Sequence, residues 1–246
     1  MNEHLIVSLD LKDYVVIKVM IEQLKGLVTF YKIGSIPFTY FGPELVKFLK
    51  SKGYKVMLDL KYHDIPNTVA GACEGATALG VDFLTLHTSG GFSMLEAAVK
   101  ATILAADNSN TAKTKLLGIT VLTSFDEAYF KDLYGTMQRT LNDQVIFLAE
   151  LARSAGLDGV VASPMEIKAI RKACGKDLLI VTPGIRPAPE KRNTSDDQAR
   201  IMTPKEAMKA GADYIVVGRP IIKAANPRET TKNIIKEMED GYREIA

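Results

Sequence analysis

Lys55-Val56-Met57-Leu58-Asp59-Leu60-Lys61-Tyr62-His63-Asp64 begins as an apolar run and ends as a row of charges. Residues 55–60 read as a β-strand. Side chains alternate along a strand, so Asp59 and Lys61 face one side, while Leu58 and Leu60 face the other, where a helix layer would bury them. Seven further short apolar runs surround this one, at 5–10, 29–34, 83–88, 116–122, 159–163, 178–184 and 214–219. Amphipathic segments separate them. Residues 43–52 place Leu45, Phe48 and Leu49 at helical spacing, residues 142–154 do the same with Val145, Leu148, Ala149 and Ala152, and a last helix is expected over 227–242. Gly53, Gly80, Gly156 and Gly211 stand one to three residues ahead of a strand, as helix-stop signals do. Eight strands, each followed by a helix, in 246 residues predict a (β/α)8 TIM barrel of the α/β class, with residues 1–246 as a single domain. No GxGxxG follows the first strand, which argues against a doubly wound dinucleotide-binding sheet.

Composition narrows the function classes. Thirty-one basic residues against 29 acidic ones leave a net charge of +2, too small a field to recruit nucleic acid or an anionic membrane. No apolar run approaches the roughly 18 residues of a membrane span, and the N-terminus meets Asp10 before a signal-type apolar region is complete, so a cytoplasmic location is expected. Cys73 and Cys174 are too few and too scattered for a disulfide framework or a zinc site.

In barrels of this kind active sites are built at the C-terminal ends of the strands. Strand one ends at Asp10, strand two carries Lys32, strand three carries Asp59 and Lys61, and strand eight ends at Arg219. Such charges are costly to bury unless they neutralise one another in an alternating array. A structural ion-pair network would satisfy that condition too. The longest irregular stretch, 185–203, follows strand seven on the same face, and loops of this length tend to be functional.

The string Asp59-Leu60-Lys61-Tyr62-His63-Asp64-Ile65-Pro66-Asn67-Thr68 resembles the signature of the orotidine 5'-monophosphate decarboxylase family. Similarity extends over the whole chain, through Leu9-Asp10, Lys32-Ile33-Gly34, His87 with Gly90-Gly91, Thr123-Ser124, Thr182-Pro183-Gly184-Ile185-Arg186, Asp197-Gln198-Ala199-Arg200 and Val217-Gly218-Arg219-Pro220. The resemblance implies conversion of orotidine 5'-monophosphate to UMP and carbon dioxide in pyrimidine biosynthesis, with neither metal nor cofactor. It implies a charged tetrad of Lys32, Asp59, Lys61 and Asp64 and a homodimer in which Asp64 and Thr68 reach the partner's site. Arg219, with Gly218, would bind the phosphate, and Gln198 would bridge phosphate and pyrimidine as its loop closes. Asp10 and Lys32 would meet ribose hydroxyls, Thr123 or Ser124 the pyrimidine, and Pro183 and Arg186 are carried over as further substrate-binding positions.

The residue chemistry suits that reaction. Loss of carbon dioxide from C6 of a pyrimidine leaves a carbanion in the ring plane, where it cannot delocalise as an enolate does. An ammonium beside C6 supplies both an electrostatic partner and the quenching proton, which makes Lys61 the expected donor. Asp59 would hold Lys61 and crowd the substrate carboxylate. His63 and His87 are left with structural or solvated roles. The nearest rival is the magnesium-dependent sugar-phosphate group, 3-keto-gulonate 6-phosphate decarboxylase and hexulose-phosphate synthase, whose chemistry calls for a carboxylate at the end of strand two, where this chain has Lys32. A non-catalytic phosphate-binding barrel would not need the tetrad, and a Schiff-base aldolase would want its lysine in less anionic surroundings.

Overall fold

A computed structural model describes residues 1–109, 111–135, 139–188 and 200–244. Eight parallel strands close on themselves in sequence order: β1 Leu5–Ser8, β2 Phe30–Gly34, β3 Lys55–Tyr62, β4 Phe83–His87, β5 Lys115–Ile119, β6 Gly159–Val161, β7 Leu179–Thr182 and β8 Tyr214–Val217. β8 pairs back onto β1 through Leu5 and Ile215, so the sheet has no free edge. Helices α1 Tyr14–Gln23, α2 Ser35–Phe41, α3 Pro43–Ser51, α4 Pro66–Ala78, α5 Phe92–Ser109, α6 Glu127–Tyr134, α7 Leu141–Ser154, α8 Ile167–Cys174, α9 Pro204–Ala210, α10 Arg219–Ile222 and α11 Pro227–Arg243 fill the crossovers and the C-terminal end. The predicted (β/α)8 architecture is the one observed. Among the described residues no helix is long and apolar enough to cross a membrane.

Local chemistry explains the boundaries. Gly53, Gly80, Gly156 and Gly211 have φ of 79°, 75°, 84° and 104°, the left-handed conformation that ends a helix without steric cost to glycine. Thr140 with Asp143 and Thr203 with Glu206 form capping boxes that start α7 and α9.

Strand periodicity produces two cores. Outward residues such as Tyr31, Ile33, Leu58 and Leu84 join helix residues such as Leu45, Val69 and Leu95 in the large layer between barrel and helices. Inward residues Ile6, Phe30, Met57, Phe83, Leu117, Val181 and Val216 fill the barrel itself. Cys73 and Cys174 are buried free thiols in α4 and α8, and burial pushes the Cys73 thiol up to about 12. The apolar plug sits low in the barrel. The next inward positions toward the C-terminal end are Lys32, Asp59 and Thr85, which raise a polar layer above it.

Candidate active site

A cavity of about 330 Å³ opens at the C-terminal mouth. Ser8 and Asp10 line it from β1, Lys32 from β2, and Asp59 and Lys61 from β3. Thr123 and Ser124 come from the segment after β5, Pro183 and Arg186 from that after β7, and Gly218 and Arg219 from the end of β8 and the start of α10. Those ten expected positions other than Ser8 therefore converge. Asp64 and Thr68 do not: both are exposed, outside the cavity of their own barrel, and Asp64 Oδ1 accepts from Ile65 N at 2.7 Å. Gln198 lies outside the described residues, as do Asp197 and Ala199.

Acids and ammoniums alternate across the cavity floor. Lys32 Nζ stands 3.3 Å from Asp10 Oδ1 and 3.2 Å from Asp59 Oδ2, and Lys61 Nζ lies 2.9 Å from the same Asp59 oxygen. Ser8 Oγ donates to the other oxygen of Asp10 at 2.6 Å. Burial opposes charge on both Lys32 and Asp59, but the ions win. The carboxylates of Asp59 and Asp10 hold the Lys32 ammonium above the usual lysine range, and Lys32 and Lys61 hold the Asp59 carboxyl below the usual carboxylate range. Both groups are therefore ionised at neutral pH. Within one chain the array is Asp10–Lys32–Asp59–Lys61, with Asp10 at its Lys32 end, while Asp64, the remaining member of the expected tetrad, lies outside the cavity.

Simple alternation is not what aims Lys61. Leu58 pairs with Leu84, yet Tyr62 pairs with Leu86, so four residues of β3 advance against two of β4. Lys61 sits in this irregularity with φ of 51°, a conformation uncommon outside glycine. Thr85 makes it possible. Its hydroxyl accepts from Lys61 N at 3.0 Å and donates to Asp59 Oδ1 at 2.9 Å, so one buried side chain fixes both the distorted backbone and the carboxylate. Space is tight as well: a Cβ on Gly34 would lie 2.8 Å from Lys32 Nζ and 3.0 Å from Asp10 Oδ1. Any larger residue there would displace the array.

The strand-seven side of the mouth is tied down at its base. Arg186 N donates to Met202 O at 3.0 Å and Met202 N to Gly184 O at 3.2 Å, which clamps the two legs of the loop together. Arg200 ion-pairs with the buried Glu166, whose other oxygen accepts from Ser163 N at 2.9 Å, and its guanidinium reaches Leu122 O at 3.4 Å, next to Thr123. Sequence reasoning quoted Arg200 within a motif without giving it a task, and missed Glu166, Ser8 and Thr85. A hydroxyl on the inward phase of β4, between Phe83 and His87, was the available signal for Thr85. The His63 and His87 rings lie 5.2 Å apart, and burial together with His63 and Lys61 lowers the His87 pKa, so it stays neutral.

A closed eight-stranded barrel with acids and lysines alternating on its floor and two arginines in the cavity wall is built as an enzyme of the TIM-barrel class, with a mouth suited to an anionic substrate. Residues 3–234 match the Orotidine 5'-phosphate decarboxylase / HUMPS family, and the chain belongs to it. It is 46% identical over 240 residues, 98% of both chains, to Orotidine 5'-phosphate decarboxylase of Geobacter metallireducens. The counterpart from Moorella thermoacetica is 45% identical over 238 residues, covering 97% of this chain and 93% of the relative. The solved structure of Orotidine 5'-phosphate decarboxylase from Lactobacillus acidophilus superposes with a TM-score of 0.82 at 36% identity, over 96% of this chain and 99% of that one.

Proposed function

We propose that this protein is an orotidine 5'-phosphate decarboxylase, a carboxy-lyase acting in pyrimidine biosynthesis in the cytoplasm. The observation that carries the reading is the buried Asp59 carboxylate shared by two lysines on the floor of the mouth, in a chain of this family. The phosphate of the substrate meets Arg219 and the backbone at Gly218, with Arg186 and Gln198 from the strand-seven loop. Asp10 and Lys32 take the ribose hydroxyls, and Thr123, Ser124 and Pro183 border the pyrimidine. Remote binding energy then holds the substrate carboxylate against Asp59. As the C6–carboxylate bond breaks, its electron pair stays on C6, carbon dioxide departs, and the Lys61 ammonium stabilises the carbanion and transfers a proton to C6, giving UMP. The chemistry needs no metal. In the sugar-phosphate rivals an enediolate is held on magnesium, and an ammonium at Lys32, 3.2 Å from Asp59, repels a cation from the carboxylate that would have to ligate it.

Loss of orotidine 5'-monophosphate absorbance, followed with chelator-treated protein, tests this. Wild type turns over and Lys61→Ala falls by at least about a thousandfold, on the scale of a lost proton donor and electrostatic partner; an inactive wild type overturns the assignment. We further propose a homodimer in which Asp64 and Thr68 serve the partner's site, which their exposed position beyond the end of β3 supports. Mixing inactive Lys61→Ala with inactive Asp64→Ala subunits should restore activity in hybrids that carry one intact site. No recovery would mean that Asp64 acts within its own chain.

A further inference from the structure

The opposite end of the barrel holds a second cavity, of about 450 Å³, which the reaction does not use. Its floor is a triangle of edge-packed rings. Phe30 and Phe83 lie 4.9 Å apart, Phe83 and Tyr214 5.1 Å, and Phe30 and Tyr214 6.0 Å. Its walls carry four lysines, Lys50, Lys55, Lys113 and Lys115, against the single carboxylate of Asp82. That carboxylate is already engaged, by Lys50 Nζ at 2.6 Å and Val56 N at 2.8 Å, while Lys113 is paired with Asp158 at 3.2 Å. Lys55 and Lys115 meet no carboxylate among the described residues.

Strand phase shows that these two belong to the barrel axis. Lys55 opens β3 two residues before the inward Met57, and Lys115 opens β5 two residues before the inward Leu117. Each pairs with a member of the aromatic floor, Lys55 with Phe30 and Lys115 with Phe83. Inward positions in the bottom layer of a barrel are ordinarily apolar. Here two exposed ammoniums stand over an apolar floor, and neither is paired with a carboxylate among the described residues.

We propose that this bottom cavity binds a polyphosphate chain, inorganic or carried by a nucleotide, between Lys55 and Lys115. Lysine suits such a ligand as a compact charge on a flexible stem, with Lys50 and Lys113 able to turn from their rim carboxylates to the same chain.

Titration calorimetry at low ionic strength with inorganic tripolyphosphate and with UTP tests the site, on wild type, Arg219→Ala and the Lys55→Gln/Lys115→Gln double variant. Binding should survive in Arg219→Ala within about twofold and weaken at least about tenfold in the double variant, the loss expected from removing two charge-assisted contacts. Decarboxylation by the double variant should match wild type, which also reports its folding. In Arg219→Ala, whose catalytic mouth has lost its phosphate contact, tighter binding of UTP than of tripolyphosphate assigns a nucleotide, and equal binding assigns the phosphate chain alone. Loss of binding in Arg219→Ala with retention in the double variant would place the anion at the catalytic mouth and overturn the proposal. So would no heat from either probe at about 1 mM, equivalent to affinity weaker than roughly 4 kcal/mol.

Discussion

The hydroxyl of Thr85 performs two tasks that a strand residue is rarely asked to combine. It caps the backbone N–H of Lys61, which the β3 irregularity has removed from the ladder, and it donates to the carboxylate that both lysines share. Thr85→Val keeps the shape and removes both bonds. The orphaned Lys61 N–H should cost about 1–3 kcal/mol of stability. Relaxation of the Lys61 backbone from its φ of 51° should lower kcat about tenfold or more while KM changes little, with Thr85→Ser restoring most of both. An unchanged kcat would show that Lys61 is held without it. Alternation correctly placed Asp59 and Lys61 on one side, but for an incomplete reason: the shared face survives because a bulge re-aims Lys61. No periodicity argument could have found that bulge, since threonine is an ordinary strand residue and its role depends on a neighbour 24 positions away.

Whole elements were more legible than their ends. All eight strands fall where apolar runs predict, yet six stop short of their expected C-termini, at Ser8, His87, Ile119, Val161, Thr182 and Val217. The reason lies in the fold. Residues at the C-terminal ends leave the hydrogen-bonded ladder to build the mouth, so Asp10, Pro183 and Arg219 stand beyond their strands. Apolar pattern reports burial, and burial continues past the last ladder bond. The base of the strand-seven loop was illegible for a different reason, because Glu166 and Arg200 are 34 residues apart and each looks solvated in sequence. Burial of this pair makes a prediction at the scale of the element. Glu166→Gln leaves the Arg200 guanidinium without its counter-ion and should lower stability by about 3–5 kcal/mol, read from urea unfolding. Because the same guanidinium reaches Leu122 O beside Thr123, KM should rise more than kcat falls. A variant as stable as wild type would show that the loop base is held by the Arg186–Met202 and Met202–Gly184 backbone bonds instead.

Across the whole molecule, the array couples charge at the mouth to the stability of the barrel. Asp59 is depressed below its ordinary 3.8, so its contribution is present above that value and is lost as pH falls through the folded pKa. Lys32 is raised above its ordinary 10.5, so its contribution is present below that value and is lost as pH rises through the folded pKa. Between these limits neither group gives wild type any slope. The balance is delicate, because burial is the largest influence on Lys32 and acts against its charge, and Asp59 is the first of the carboxylates that overcome it. Asp59→Asn should reverse the sign. With only Asp10 remaining, Lys32 should fall below 10.5, and each unit of that fall destabilises the protonated fold by about 1.4 kcal/mol. The stability difference between wild type and Asp59→Asn should therefore be largest at pH 6 and shrink as pH rises and Lys32 loses its proton in the folded variant. Subtracting the two profiles cancels every titration they share. Thermal midpoints measured side by side from pH 6 to pH 10 decide the matter: parallel profiles would mean that Asp10 and solvent suffice to keep Lys32 charged, whereas convergence toward high pH is what a buried lysine deprived of its main counter-ion requires.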